Sequence, residues 1–99
     1  MNYDSIKQFE EVIKLNPLDA IGYYNLALTY HESGHLIKAE QTYQKALELD
    51  QTIPDIYNNL GLIYLNWGIH DKAIDFFGKA ISADRNFQQA HYNLGLLYI

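Results

Sequence analysis

The sequence predicts an all-α solenoid of antiparallel helix pairs, with six helices and no strand. Three observations carry this prediction. The chain repeats itself at a spacing of 34 residues, apolar residues recur at helical spacing within each period, and no segment alternates with the period of two that a half-buried strand shows. Helical hairpins that repeat in this way cannot bury their apolar faces alone, so we expect them to stack on one another.

The repeat is visible as columns of like residues. Asn25, Asn59 and Asn93 form one column, and leucine follows each of them directly. The neighbouring columns hold leucine and tyrosine in all three periods: Leu28, Leu62 and Leu96, then Tyr30, Tyr64 and Tyr98. This agreement predicts one array over residues 1–99. Its parts are the second helix of a partial repeat (1–19), two whole repeats (20–53 and 54–87) and the first helix of a truncated repeat (88–99).

Six helices follow from the apolar pattern, and they are taken here in chain order. The predicted ranges are Tyr3–Leu15, Ala20–Glu32, Leu36–Leu49, Pro54–Trp67, His70–Ala83 and Gln88–Ile99. The first of them aligns with the second helix of each whole repeat, because Phe9 falls in the column of Tyr43 and Phe77. The chain is therefore expected to start with a second-type helix and to end with a first-type helix.

The two whole repeats share one hairpin pattern. In the first helix of the first one, apolar residues lie at i, i+3, i+4 and i+7, on one helical face: Tyr23, Leu26, Ala27 and Tyr30. Gly34 and Gly68 interrupt the pattern where a turn is needed. In the second helices, Ala39 and Ala73 permit a close approach of the paired helix. Pro54 suits the first turn of a helix, where its missing N–H costs nothing.

Composition and charge restrict the classes of function. The chain has 48% apolar and 14% aromatic residues, which is typical of a folded domain, and no cysteine, which excludes disulfides and thiolate metal sites. Its formal charge of -5 argues against nucleic acid and anionic membranes as partners. The start of the chain has no apolar signal core. We therefore expect a cytoplasmic protein without a membrane span.

The hairpin pattern resembles the tetratricopeptide-repeat (TPR) family, whose signature pairs W-x-x-L-G-x-x-Y with a later A-x-x-x-F. The second whole repeat matches it at Tyr57, Leu60, Gly61, Tyr64, Ala73, Phe77 and Ala80. Tyrosine or histidine replaces the tryptophan of the signature, and Gln51 and Arg85 stand where Pro17 fits the family pattern. The resemblance covers essentially the whole chain, and it implies a TPR superhelix that binds proteins.

The resemblance also implies where a ligand binds. In a TPR superhelix the first helices line a concave groove, and their outward face here combines asparagine, leucine and tyrosine. The expected peptide-binding residues are Tyr24, Asn25, Leu28, Asn58, Asn59, Leu62, Leu65, Tyr92, Asn93 and Leu96. An asparagine amide both donates and accepts, so it can hold a peptide main chain. The asparagine column is similar to that of the TPR domain of the O-linked N-acetylglucosamine transferase. The alternative is that these amides are merely solvated or form hydrogen bonds within the fold.

Family members that bind the acidic tails of heat-shock chaperones need a set of basic and amide residues on this face. Their pattern requires lysine, asparagine, asparagine, lysine and arginine at five positions of this chain: Tyr24, Leu28, Asn59, Gln89 and Asn93. Only Asn59 matches. Without a cation, nothing would pair with a terminal carboxylate, so we do not expect a chaperone-tail binder.

Catalysis and metal binding are not expected. The segment His31–His35 spells the H-E-x-x-H pattern of zinc peptidases, in which both histidines must lie on one helical face. Gly34 should break the helix between them, which separates the two ligands. No glycine-rich phosphate loop or paired acid–base residues stand out. We therefore predict a protein that is not an enzyme and that uses no cofactor and no metal.

The two terminal helices suggest a second possibility. Each has an apolar face that a neighbouring helix should cover, and the residues concerned are Phe9, Val12, Leu94 and Tyr98. Either the chain is a piece of a longer array, or copies join head to tail through these faces as a homo-oligomer. The favoured function is a scaffold or adaptor that binds a peptide segment of a partner. The alternatives are a self-assembling scaffold and an accessory domain of a larger enzyme.

Overall fold

The computed structural model describes residues 2–98, with side chains from residue 4 onward. This part of the chain forms six α-helices and no strand. The helices are α1 (Asn2–Leu15), α2 (Ala20–Glu32), α3 (Leu36–Leu49), α4 (Pro54–Asn66), α5 (His70–Ala83) and α6 (Gln88–Leu97). The predicted fold class, an all-α solenoid of helix pairs, is confirmed.

Three helix ends differ from the prediction. α1 begins at Asn2, one residue before the predicted start. α4 ends at Asn66, because Gly68 adopts a positive φ and closes the helix with the same turn as at the end of α2. α6 ends at Leu97, where the amide of Tyr98 donates to the carbonyls of both Leu94 and Gly95. Ile99, with which the predicted helix ended, lies outside the described residues. Such tight last turns are common at helix ends, and apolar spacing does not reveal them.

The turn inside each hairpin has the same geometry. Gly34 and Gly68 have φ of 82° and 77°, in the left-handed region where glycine has no steric penalty. The amide of Gly34 donates to the carbonyl of His31 at 3.1 Å, and that of His35 to the carbonyl of Tyr30 at 2.9 Å. This pair of bonds is the Schellman motif. Gly68 and Ile69 make the equivalent pair at the end of α4.

The chain divides into two compact units, Met1–Gln51 and Thr52–Ile99. The first contains α1 to α3, and the second contains α4 to α6. The repeat boundaries expected from the sequence stay a prediction. Each unit has its own buried side chains, and each is described below by itself.

In the first unit, the core of the hairpin lies between α2 and α3. Ala27, Ala39 and Tyr43 are fully buried there. α1 packs against α2, where a Cβ placed on Gly22 would lie 3.5 Å from the side chain of Ile13. Burial raises the pKa of the Tyr30 hydroxyl, and the carboxylate of Glu10, which accepts its hydrogen bond, raises this pKa further.

In the second unit, the core is a cluster of small and aromatic side chains. Its fully buried members are Ala73, Phe77 and Ala80 of α5 and Ala90 of α6. A Cβ on Gly61 would lie only 2.5 Å from Cε1 of Phe77, so α4 and the ring are in closer contact than a side chain would allow. The absent side chain therefore lets α4 pack tightly on α5.

Within residues 2–98 no helix combines the length and the apolar character needed to cross a membrane.

Candidate functional site

A pocket of about 260 Å³ lies between α4 and α6 in the second unit. Both helices were predicted to be the first helices of their repeats, and the asparagine of the column in each, Asn59 and Asn93, lines the pocket. The residues that line it are Asn58, Asn59 and Leu62 of α4 and Gln89, Tyr92 and Asn93 of α6. Five of these six residues were expected at the ligand-binding face from the sequence, and the fold brings the five together.

Four of the six lining side chains are carboxamides, and none is charged. Each carboxamide offers two N–H donors and one oxygen acceptor. The pocket can therefore satisfy a ligand that both donates and accepts hydrogen bonds. It has no cation to pair with a carboxylate or a phosphate.

Asn58 and Asn93 are bonded to each other across the pocket. Nδ2 of Asn93 donates to Oδ1 of Asn58 at 3.0 Å. Asn58 is only 3% exposed, whereas Asn93 is partly exposed. The buried amide thus has a partner, as a buried polar group requires.

Leucine and tyrosine provide the apolar part of the pocket. Leu62 is partly buried and packs against the core cluster that contains Phe77. Tyr92 is 68% exposed, so its ring is available to a ligand. Asn59 is partly exposed and has an interaction of its own within the chain.

Two further residues expected at this face do not line the pocket. Leu65 packs against the core cluster from α4, one turn beyond Leu62. Leu96 is 50% exposed on α6. The two leucines of α4 thus have different roles. Leu65 stabilises the hairpin, and Leu62 reaches both the core and the pocket.

Gln89 was placed on the ligand-facing side of the last helix from the sequence but was left out of the expected set of binding residues, and the structure shows it at the pocket. It lies four positions before Asn93, and this spacing places both side chains on the same helical face. Its column holds three unlike residues, Ile21, Asp55 and Gln89.

The remaining expected residues belong to α2, in the first unit. Tyr24, Asn25 and Leu28 are all partly buried. The Tyr24 ring lies 6.1 Å from the Tyr43 ring, centroid to centroid. The backbone carbonyl of Asn25 accepts a hydrogen bond from the Thr29 hydroxyl at 2.9 Å. α2 therefore offers an amide, an apolar and an aromatic side chain on one face.

His31 also lies on α2, where its ring contacts Tyr43. Nδ1 and the Tyr43 hydroxyl oxygen are 3.3 Å apart and hydrogen-bonded, with the rings edge to face. Burial lowers the pKa of His31, while the charge of Glu32 opposes this shift. His35 lies beyond the end of α2, at the residue before α3. No group of three or more potential metal ligands occurs among the described residues.

The residues expected to mediate self-association differ in exposure. Val12 of α1 is 40% exposed and Tyr98, just after α6, is 71% exposed. Phe9 is partly buried, and Leu94 packs against the core cluster of the second unit. Val12 and Tyr98 are thus the two members of this set that are open to a neighbour.

A larger cavity, of about 470 Å³, lies between α1 and α2 in the first unit. Apolar side chains and charged side chains both line it: Lys7, Glu10, Glu11, Ile13, Lys14, Tyr23 and Leu26. In the second unit, by contrast, Tyr57 and Leu65 of α4 pack with Leu94 of α6 against the core cluster of α5.

Comparisons with known proteins agree with the fold. A family model described as TPR repeat matches residues 29–68, and two described as tetratricopeptide repeat match residues 54–87 and 9–41. Together the three matches extend over residues 9–87. No curated protein matches the chain.

Solved structures give the same result. A crystal structure of MamA is 32% identical, with a TM-score of 0.90, and the match covers 98% of this chain and 57% of MamA. The chain thus spans little more than half of the length of MamA. The TPR domain of Arabidopsis OM64 is 24% identical over 98% of this chain and 80% of its own, with a TM-score of 0.94.

A third structure is that of YrrB, described as a TPR protein with an unusual peptide-binding site. It is 19% identical over 95% of this chain and 48% of its own, with a TM-score of 0.88. At this identity, as for OM64, the likeness concerns the fold alone. Three family models and the architecture of six paired helices agree, and the chain is therefore a tetratricopeptide-repeat protein.

Proposed function

We propose that this chain is a non-enzymatic adaptor that binds an extended segment of a partner protein, with the pocket between α4 and α6 as its main contact. The TPR fold and its structural neighbours suggest a protein-interaction or scaffold module. One observation carries the finer proposal. Four uncharged carboxamides and two apolar side chains line a single pocket of about 260 Å³.

Such a lining suits a polypeptide main chain. An extended segment presents N–H and C=O groups, and carboxamides match both. A pocket of this volume is below the range of about 300–1,000 Å³ that is usual for small-molecule sites. It is better suited to one or two residues of a longer ligand, with Leu62 and the exposed Tyr92 ring in contact with apolar side chains.

The α2 face carries the same residue types, so we propose that Tyr24, Asn25 and Leu28 also contact a peptide. In this proposal the asparagine column acts in the manner of the O-linked N-acetylglucosamine transferase, by holding main chain rather than reading side chains. The absence of lysine and arginine from the pocket lining argues against an acidic chaperone tail as the ligand.

The experiment compares two triple variants of the 99-residue chain. Peptides are selected from a random dodecapeptide library on the wild-type chain, and their affinities are measured by calorimetry. Asn25→Ala, Asn59→Ala and Asn93→Ala together should weaken binding by at least about tenfold, as expected for the loss of hydrogen bonds to a main chain. The control changes three exposed carboxamides away from this face, Gln8, Gln41 and Asn86, to alanine and should leave affinity within about twofold.

Light scattering on the same proteins tests the rival function. If no peptide is selected and the chain self-associates in a manner that Tyr98→Glu reverses, the chain is a self-assembling scaffold instead. If peptides bind with equal affinity to both triple variants, the asparagine column is not the binding site.

A further inference from the structure

We infer that the cavity between α1 and α2 binds an apolar α-amino acid in its zwitterionic form. In this arrangement the apolar side chain of the ligand lies against Tyr23 and Leu26. The ligand carboxylate pairs with Lys7, and the ligand ammonium group pairs with Glu10. The site belongs to the first unit, so the inference goes beyond the proposed peptide site of the second unit and does not depend on it.

The first step is the volume of the cavity and its apolar lining. The cavity measures about 470 Å³, which is within the range of about 300–1,000 Å³ that is usual for small-molecule sites. Of its apolar and aromatic lining residues, Leu26 is 7% exposed, and Ile13 and Tyr23 are partly buried. Contact with these side chains removes the apolar body of a ligand from water, which favours binding.

The second step concerns the charged lining residues, which all come from α1: Lys7, Glu10, Glu11 and Lys14. Residues spaced in this way lie on one helical face. Nζ of Lys14 lies 3.4 Å from Oε1 of Glu11, so these two charges offset each other. Within residues 4–98, neither Lys7 nor Glu10 is in an ion pair. One positive group and one negative group at the cavity are therefore available to a ligand.

The third step is the position of Glu10. Its carboxylate accepts a hydrogen bond from the hydroxyl of Tyr30, a residue that is only 8% exposed. This bond to a buried residue holds the carboxylate beside the cavity, and the remaining lone pairs of the carboxylate can accept from an ammonium group. Lys7 lies one helical turn before Glu10, which corresponds to about 5–6 Å between the Cβ atoms. An α-amino acid carries both of its charges on one carbon atom, so it can reach both side chains.

The fourth step is that the packing of the repeat does not account for these two charges. Lys7 and Glu10 have unlike counterparts at the equivalent positions of α3 and α5: Gln41, Gln44, Asp75 and Gly78. The first position is thus basic, neutral or acidic, and the second is acidic, neutral or without a side chain. A repeat that accommodates all of these does not need the two charges for its helix packing. A zwitterionic ligand gives each of them a partner.

The combination of charges also restricts the class of ligand. A fatty acid or another simple anion would bring its carboxylate next to that of Glu10. A simple amine would bring its ammonium group next to that of Lys7. Like charges repel in both cases. An apolar amino acid pairs with both side chains and places its apolar body against the apolar lining.

The first arm of the test titrates L-phenylalanine into the 99-residue chain and follows methyl groups by nuclear magnetic resonance. The methyl resonances of Ile13 and Leu26 should shift and reach saturation at millimolar ligand. Those of Ile81 and Leu94, at the equivalent positions of the second unit, should not shift. L-phenylalaninamide lacks the carboxylate, and N-acetyl-L-phenylalanine lacks the ammonium group. Each should bind about three- to fivefold more weakly than L-phenylalanine, as expected for the loss of one exposed ion pair.

The second arm removes the charges of the protein. Lys7→Gln should weaken the binding of L-phenylalanine by about three- to fivefold but should not weaken that of L-phenylalaninamide. Glu10→Gln keeps an oxygen that accepts from Tyr30, and it should weaken the binding of L-phenylalanine but not that of N-acetyl-L-phenylalanine. The controls, Lys45→Gln and Glu48→Gln, change exposed residues of α3 outside the cavity lining and should leave affinity within about twofold. Circular dichroism establishes that each variant is folded.

Three outcomes would overturn the inference. If the Ile13 and Leu26 methyl groups do not shift, or shift no more than those of Ile81 and Leu94, the cavity is not the binding site. Equal affinity for L-phenylalanine and its two analogues would show an apolar cavity that does not recognise charge. If Lys7→Gln and Glu10→Gln behave as the controls do, the two charges are merely solvated. Peptide binding at the pocket between α4 and α6 is tested separately by the asparagine variants.

Discussion

The two hairpins, α2–α3 and α4–α5, fill the same repeat position with different chemistry. The first buries Tyr43, whose hydroxyl is hydrogen-bonded to His31. The second buries Phe77, and Leu65 packs against its cluster at the position equivalent to His31. A buried hydroxyl needs a partner, whereas a buried phenyl ring needs apolar contact. Both positions therefore change from one hairpin to the other: Tyr43 and His31 form a polar pair, whereas Phe77 and Leu65 form an apolar pair.

The facing residue on the first helix differs as well. Gly61 stands opposite Phe77, and an added Cβ would meet three ring atoms at 2.5 to 2.9 Å. The equivalent residue of the first hairpin is Ala27, which is fully buried. Because Ala27 already carries a Cβ, the Tyr43 ring cannot approach α2 as closely as the Phe77 ring approaches α4. One repeat signature thus accommodates two distances between ring and helix.

The largest expected effect comes from placing the buried tyrosine of the first hairpin in the second hairpin. Phe77→Tyr should lower the free energy of unfolding by about 1–3 kcal/mol, because Leu65 gives the new hydroxyl no partner. Adding Leu65→His, which recreates the pair of the first hairpin, should recover part of this loss. Urea denaturation measures both variants. Phe76→Tyr, at a partly exposed ring, is the control. If Phe76→Tyr lowers the free energy of unfolding as much as Phe77→Tyr does, the proposed difference between the two hairpins is wrong.

The glycine opposite Phe77 gives the next largest effect. Gly61→Ala should cost up to about 2 kcal/mol, since overpacking at a buried ring costs about 1–3 kcal/mol and the better helix propensity of alanine returns about 1 kcal/mol. Gly78→Ala in α5 is the matched control, because no atom lies within 4 Å of its added Cβ. It should stabilise the protein. If thermal denaturation shows that Gly78→Ala is less stable than Gly61→Ala, the close contact between Gly61 and Phe77 is refuted.

The turn glycines sharpen the comparison because they should behave alike. Gly34→Ala and Gly68→Ala should each cost about 1 kcal/mol, the lower end of the penalty for a left-handed conformation. No neighbouring atom lies within 4 Å of either added Cβ, so the penalty comes from the backbone alone. Urea denaturation of both variants is the measurement. A clearly larger loss at one glycine would show that the two turns are not equivalent.

The smallest effect is a dependence on pH in the first hairpin alone. Burial lowers the pKa of folded His31 below the value near 6.5 of an unfolded histidine. The unfolded chain therefore binds the proton more readily, and stability falls as the pH drops through about 6.5 toward the lower folded value. His31→Leu, which imitates Leu65, should remove this part of the pH dependence. Urea titrations of both proteins at pH 7.5 and 5.5 measure how much the free energy of unfolding falls. If it falls by the same amount in His31→Leu as in the wild-type chain, the prediction is wrong.

Much of the fold could be predicted from local pattern. The predicted ranges of α2, α3 and α5 agree with the structure at both ends. α2 ends before Gly34, which adopts a positive φ, whereas α3 and α5 end where the backbone becomes extended at Asp50 and Asp84. The end of α4 was placed one residue late although Gly68 stands in the column of Gly34. The shared amide of Tyr98 that ends α6 has no signature in apolar spacing.

The candidate site was predictable only in part. The columns placed Asn58, Asn59, Leu62, Tyr92 and Asn93 on ligand-facing surfaces, and one pocket contains all five. Spacing along a helix did not distinguish Asn58, which is nearly buried, from Asn59, which is partly exposed. It also treated Leu62 and Leu65 as equal, although only Leu62 lines the pocket.

The sequence by itself determined the six helices, the glycine turns and the residue types on each helical face, because these depend on neighbours within a few residues. It also showed the period of 34 residues directly, through its columns of like residues. Only the tertiary structure decided which side chains meet. Asn58 and Asn93 are 35 residues apart, and Gly61 meets Phe77 through the packing of α4 on α5. Such contacts depend on how closely two helices approach, which is set by the sum of many packed side chains.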